Sequence, residues 1–185
     1  MALGLTCGTA TLIDHDPEWE AIATQTIECL WRVFGSVAKD IQHIGSTSIK
    51  GIKAKPSIGI VMAVYHLELV ESLIPLMKQE GFIADYRINE NECYIVIVVY
   101  EDESYSVETH SILVVNFNDS KYKESLCFRN YLNANPNAAK RYEAHKLDAS
   151  VKYNNDRSRY KDYKSNFMKQ ILEEALIWSS ICDTQ

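Results

Sequence analysis

Apolar residues recur at two distinct spacings along this chain. Trp19, Ile22, Ala23, Ile27, Leu30, Trp31 and Phe34 fall three or four apart, which predicts an amphipathic helix packed on a sheet. Asp16 is suited to cap it, Pro17 fits its first position, Glu18 and Glu20 favour its positive end, and Gly35 stops it. Val37–Ile44 and the unbroken apolar run Ile58–Val64 predict strands, the second a buried one. Leu67, Val70, Leu73, Ile74 and Met77 mark a second helix, which Pro75 should kink or cut short and Gly81 should close. Cys93–Tyr100 is almost wholly β-branched. With Val107–Phe117 it predicts an antiparallel hairpin around Asp102, Glu103 and Ser104.

The last third changes to helical spacing. Ser120–Asn133 predicts one helix. Asn135-Pro136 opens another, through Tyr142, Lys146 and Val151. After a turn at Asn154-Asn155-Asp156, the positions Tyr160, Tyr163, Phe167, Ile171, Leu172, Ala175 and Trp178 line a long terminal helix. Residues 1–11 show no period and predict a loose end or an edge strand. The implied architecture is α+β: a mixed β-sheet packed with helices, and a helical C-terminal third. A length of 185 residues with 46% hydrophobic content supports one domain over 1–185, with an α/β core at 12–118 and a helical segment at 119–180.

Composition narrows the function classes. No stretch approaches the length of a membrane span, and the first ten residues lack the basic start and cleavage site of a signal peptide. Cys7, Cys29, Cys93, Cys127 and Cys182 are widely spaced without a CxxC pair, so reduced thiols and a cytoplasmic location are expected. Cys93 and Cys127 sit in apolar company and read as packing residues. The net charge of −6 hides an asymmetry: residues 119–169 hold 12 Lys/Arg against 6 Asp/Glu. That segment is either a solvated helix surface laced with ion pairs or an attractor for an anion. Its tyrosines fall mostly at core spacing, so nucleic acid is not the expected partner.

Candidate chemistry concentrates at His43–Val64. A strand runs into Gly45, whose freedom lets the backbone turn and approach a ligand closely. Ser46, Thr47 and Ser48 follow, with hydroxyls and a predicted helix start, then Lys50, Lys53 and Lys55. Such a Gly-Ser loop suits a phosphate, although it is not a GxxxxGK[ST] loop. His43 either reaches that phosphate or bonds nearby backbone. Of the lysines, Lys55 is best placed, just before the buried strand.

The same stretch, HIGSTSIKGIKAKPSI, resembles the central motif of the GrpB family. Asp16-Pro17-Glu18-Trp19 is similar to that family's DPxW opening, and Phe128–Leu132, Asn135-Pro136 and Lys146 to its FRDYL, HP and LK helical segment. The resemblance covers roughly residues 12–176. It implies a nucleotidyltransferase-like fold, in which strand carboxylates hold Mg²⁺ against phosphates. The family's aspartate after Lys-Pro falls on Gly59, two residues before Val61. Its HHLHV-like stretch falls on His110–Val114, with Ser111 and Leu113 at two of the histidine places. Magnesium is therefore not expected as a cofactor, and metal-dependent transfer is not expected. Glu92 and Glu108 are the carboxylates that could replace the missing one.

The expected ligand is a nucleotide or another phosphate-bearing small molecule. It would be held by His43, Gly45, Ser46, Thr47, Ser48, Lys55 and His110, with Arg129 and Lys146 clamping it from the opposite side. For the last two the alternative is an ion pair with a helix neighbour such as Glu124 or Glu143. The competing function is a non-catalytic scaffold or regulatory binding protein that uses the cleft or the basic C-terminal helices.

Overall fold

The computed structural model describes residues 3–153 and 156–182, so the expected turn at Asn154 and Asn155 lies outside the described residues. The elements run β1 (Leu5–Thr6), α1 (Glu18–Phe34), β2 (Ala38–Ile44), β3 (Ile58–Val64), α2 (Val70–Leu73), β4 (Ile83–Asn89), β5 (Tyr94–Tyr100), β6 (Val107–Asn116), α3 (Ser120–Ala134), α4 (Pro136–Lys152) and α5 (Arg157–Cys182). The six strands form one sheet in the order β2-β3-β6-β5-β4, with β1 paired to the start of β6. β3 and β6 are parallel, and the other pairs are antiparallel.

Burial explains this order. β3 is apolar throughout because it lies between β2 and β6 with both faces covered. On one face Ile58, Ile60, Met62 and Val64 join Ile95, Ile97, Val99, Ile112 and Val114, and all pack against Trp19, Ala23, Leu30 and Phe34 of α1. On the other, Val61, Ala63 and Val115 pack under Tyr122 of α3. α1 starts where Asp16 predicts: the Asp16 carboxylate accepts from the Glu18 N–H at 3.0 Å.

The helical third packs tightly on the core through the Gly-Ser loop. Ile49 and Ile52 are fully buried among Phe128, Leu132, Ala138, Ala139, Tyr142 and Ile171. Burying two such side chains contributes about 1.5–3 kcal/mol each, enough to fix the loop against α3, α4 and α5.

Three expectations need correction. Residues 67–80 are mostly 3₁₀ turns around the four-residue α2 instead of one helix, and Pro75, two residues after Leu73, cuts the α-helical pattern short as expected. β4 was not foreseen. It is an edge strand that sends Asp85, Arg87 and Ile88 to solvent, so its apolar signal is weak. Cys93 does not begin a strand or pack in the interior. It sits exposed in the β4–β5 turn with φ +51°.

Candidate functional site

β2 ends at Ile44, and Gly45 turns the chain with φ +74°, a value only glycine adopts without strain. The expected helix start is one 3₁₀ turn, Ser46–Ser48, too short to carry a dipole. Its hydroxyls are partly committed. Ser48 Oγ donates to Gly45 O at 2.7 Å, and Thr47 Oγ1 lies 2.9 Å from His43 Nε2. Asn133 of α3 then clamps the loop, accepting from the Lys50 N–H at 3.1 Å and donating to Ser48 O at 2.9 Å.

A cleft of about 800 Å³ opens beside this loop, between α1 on one side and α3–α4 on the other. Thr47, Ser48, Lys50 and Gly51 form its floor, with Ile27, Ile52, Leu132 and Ala139 as apolar walls. Arg129, Lys140 and Lys50 bring positive charge, and Glu20 is the one acidic lining residue. Lys140 Nζ is steered to the loop by Gly51 O at 3.1 Å and by Glu143 at 2.8 Å. Burial pulls the His43 pKa down to about 4, helped by Arg129 and by His15 and His110, so its ring is neutral at physiological pH. It offers hydrogen bonds here, not charge. The His15 Nδ1 atom, also at the cleft, is buried with no hydrogen-bond partner among the described residues.

The cleft brings together His43, Thr47, Ser48 and Arg129 of the nine expected site residues. Gly45 and Ser46 sit behind it and do not line it. His110 is buried on the α1 face of the sheet, its Nε2 3.0 Å from Thr26 Oγ1 and its ring edge-on to Phe82. Burial alone lowers its pKa to about 4. Lys55 lies 5.5 Å from the Tyr160 ring centroid. Lys146 is only 1% exposed, donates to Lys53 O and stands 4.6 Å from the Tyr142 ring centroid. It ties α4 to the basic loop and does not line the cleft. Among the polar lining residues that escaped the sequence reading are His15, Glu20, Thr24, Gln42, Asn133 and Lys140. Glu20, Asn133 and Lys140 are exposed helix positions and His15 precedes α1, so no spacing in the sequence joins them in one cleft.

The opposite face of the sheet is where a transfer metal would belong. Gly59 pairs with Ser111 and with Ile44, and Leu113 is the next residue of β6 on that face. The three places where the resemblance implies Asp, His and His are thus neighbours, and here they are Gly, Ser and Leu. A Cβ at residue 59 would stand 2.8 Å from Ile44 O, so the backbone of β2 has closed over the space. Glu108 does reach this face. A bulge leaves Thr109 unpaired between His110, opposite Val99, and Glu108, opposite Tyr100. Glu108 is 4% exposed and accepts from Ser57 Oγ at 3.0 Å. It borders a 730 Å³ cavity with Arg87, Tyr100 and Ser111. Glu92 is elsewhere, 3.6 Å from Lys121. Among the described residues no three His, Cys, Asp or Glu side chains are grouped to hold a metal ion. These residues do not fit the two-carboxylate chemistry of nucleotidyl transfer.

A family profile described as GrpB protein matches residues 9–174. The chain belongs to the GrpB family. It is 35% identical over 175 residues to the "Glutamate-rich protein GrpB" of Alkalihalophilus pseudofirmus, spanning 93% of this chain and 99% of that protein. The UPF0157 protein YqkA of Bacillus subtilis is 29% identical over 90% of this chain and 47% of its own length. The crystal structure of the conserved protein GrpB from Enterococcus faecalis superposes with a TM-score of 0.77 at 24% identity, covering 91% of this chain and 99% of that one. Terminal uridylyl transferase 4 from Trypanosoma brucei, solved with bound dUTP, superposes with a TM-score of 0.51 at 12% identity, over 75% of this chain and 46% of that one. The GrpB fold is thus nucleotidyltransferase-like. No helix among the described residues is long and apolar enough to cross a membrane.

Proposed function

We propose that this GrpB-family protein binds a nucleotide or another phosphate-bearing small molecule in the cleft beside the Gly-Ser loop, and performs no metal-dependent nucleotidyl transfer. The observation that carries the reading is the cleft itself. In a chain of net charge −6, Arg129, Lys50 and Lys140 line a cavity of about 800 Å³ with Glu20 as its one acidic lining residue, Lys140 being paired with Glu143 at its edge. That volume is within the range of small-molecule sites. Replacement of the implied Asp and His places by Gly59, Ser111 and Leu113 supports the second half. Without that chemistry, the catalytic and the regulatory-binding readings of the fold converge on ligand binding.

A thermal-shift screen of nucleoside mono-, di- and triphosphates and coenzyme A precursors tests the binding. A ligand at about 100 times its dissociation constant stabilises the fold by about 2.7 kcal/mol, and the shift should persist in EDTA. A shift that requires Mg²⁺, or the absence of a shift with every phosphate tested, would overturn the proposal.

A further inference from the structure

β4 ends the sheet on the side away from β2, and its outer side has no strand partner among the described residues. One contact shows which of its backbone groups face outward. The Tyr86 N–H donates to the Asp85 carboxylate at 2.8 Å, so that group points away from β5. Backbone groups alternate along an antiparallel strand. Ala84, Tyr86 and Ile88 therefore turn their N–H and C=O groups outward, while Ile83, Asp85, Arg87 and Asn89 turn theirs to β5. A row of outward groups is a template for another strand. Asp85 caps one of them and leaves the rest available.

The side chains say which strand would fit. Asp85 and Arg87 are two residues apart, share one face of the sheet and are exposed. No ion pair is found for either among the described residues. Ile88 is 49% exposed and shares the other face with Ala84 and Tyr86. An antiparallel pair of two such strands, centred on Tyr86, sets each Asp85 opposite the partner's Arg87 and each Ile88 opposite the partner's Ala84. The outward groups then meet each other, which allows about six backbone hydrogen bonds across the seam. A slip of two residues sets Asp85 against the partner's Asp85, or Arg87 against the partner's Arg87. A slip of one sets outward groups against inward ones. Charge and backbone direction thus select the same single register.

We propose that β4 is a homodimer edge: two copies pair their β4 strands antiparallel about a two-fold axis at Tyr86, joining their six-stranded sheets into one. In the pair the Asp85 carboxylate leaves the Tyr86 N–H and turns to the partner's Arg87. The released N–H donates to the carbonyl of the partner's Tyr86. A seam one strand long is a small interface, so the dimer forms reversibly with concentration. The cleft lies beside β2, at the opposite edge of the sheet, so the dimer does not depend on the phosphate reading.

Sedimentation velocity over roughly 1–300 µM protein tests the pairing. It is run on wild type, on Arg87→Glu, and on the charge swap Asp85→Lys with Arg87→Glu. Wild type should pass from monomer toward dimer across that range. Arg87→Glu places an acid opposite an acid at both ends of the seam and should weaken association at least about tenfold. The swap restores opposite charges and should recover most of the loss. Circular dichroism at low concentration checks that each variant is folded. Amide hydrogen exchange followed by NMR reads the register, since the Tyr86 and Ile88 amides should slow as wild-type concentration rises. A wild type that is monomeric throughout overturns the proposal and leaves the edge to a strand of a different protein. A dimer that Arg87→Glu leaves intact, or in which those amides exchange as in the monomer, is built on another surface and overturns it as well.

Discussion

Restoring a carboxyl-bearing carbon at residue 59 should damage the fold before it could help any chemistry. Consider Gly59→Ala first. The new Cβ would meet Ile44 O at 2.8 Å and Ile44 C at 3.4 Å. The oxygen is main chain in a paired strand, Ile44 opposite Gly59, so it cannot swing aside. Relieving the contact requires the backbone at the end of β2 to shift, and overpacking of this kind costs about 1–3 kcal/mol. Against that, alanine restricts the unfolded chain more than glycine does and returns about 0.4–1 kcal/mol. The expected net loss is about 0.5–2 kcal/mol, or a fall in Tm of about 1–8 °C for a domain of this size. Gly59→Asp should fall further, since its carboxylate would be desolvated without a charge partner. Differential scanning calorimetry of both variants, with Ser111→Ala as a same-face control, reads the effect. A Gly59→Ala protein melting at or above wild type would refute the reasoning and reopen the site to a carboxylate.

Lys146→Ala should destabilise by about 2–4 kcal/mol in urea unfolding, because it leaves Lys53 O unsatisfied beneath α4 and opens a cavity, and Lys146→Met should recover part of the loss. His43 and His110 have folded pKa values near 4, below the unfolded value near 6.5. The unfolded chain therefore binds protons more readily, so their stabilisation is complete above about pH 6.5 and is lost as pH falls toward 4. Together they should contribute a slope approaching about 2.7 kcal/mol per pH unit in that window; urea midpoints that are flat from pH 7 to 4.5 would contradict it. Incubation with labelled ATP, CTP, GTP or UTP and Mg²⁺ or Mn²⁺ should release no pyrophosphate above background; release abolished by Glu108→Gln would identify a working carboxylate.

What the sequence made legible followed the strength of each burial signal. Ile58–Val64 reads as buried because both of its faces are covered, and it is found at the centre of the sheet. The α1 stripe and the β5–β6 hairpin are plain for the same reason. β4 is not, because its face pattern mixes Asp85 and Arg87 with Ile88 at an open edge. At the site, the Gly-Ser loop was visible but its lining was not. Lys55 and Lys146 look like ligand cations by position in the chain, yet tertiary packing places them against the rings of Tyr160 and Tyr142. Conversely, Lys140 and Glu20 look like ordinary helix-surface charges and become cleft residues only when α1 and α4 face each other. The bulge at Thr109 is the sharpest case. Strict alternation would put Glu108 on the His110 side, and the one-residue slip sends it to the opposite face.

Gly45 and Gly59 belong to one structural arrangement. The turn at Gly45 brings the end of β2 close enough that a Cβ on Gly45 would lie 3.9 Å from the Gly59 Cα, while a Cβ on Gly59 would strike Ile44 O. The strand end therefore rests in the volume that a carboxylate on β3 would need. Ser57 meanwhile occupies Glu108, which leaves that acid as a buried hydrogen-bond acceptor and not as half of a metal-binding pair. Positive charge lines the neighbouring cleft beside β2, where Arg129, Lys50 and Lys140 stand. On the proposed reading, a phosphate in the cleft would be neutralised by guanidinium and ammonium groups in place of a metal ion. Fixed cations bind a phosphate without activating it toward transfer to a second substrate. If the proposed binding holds, EDTA-insensitive binding and absent pyrophosphate release should occur together in the same preparation.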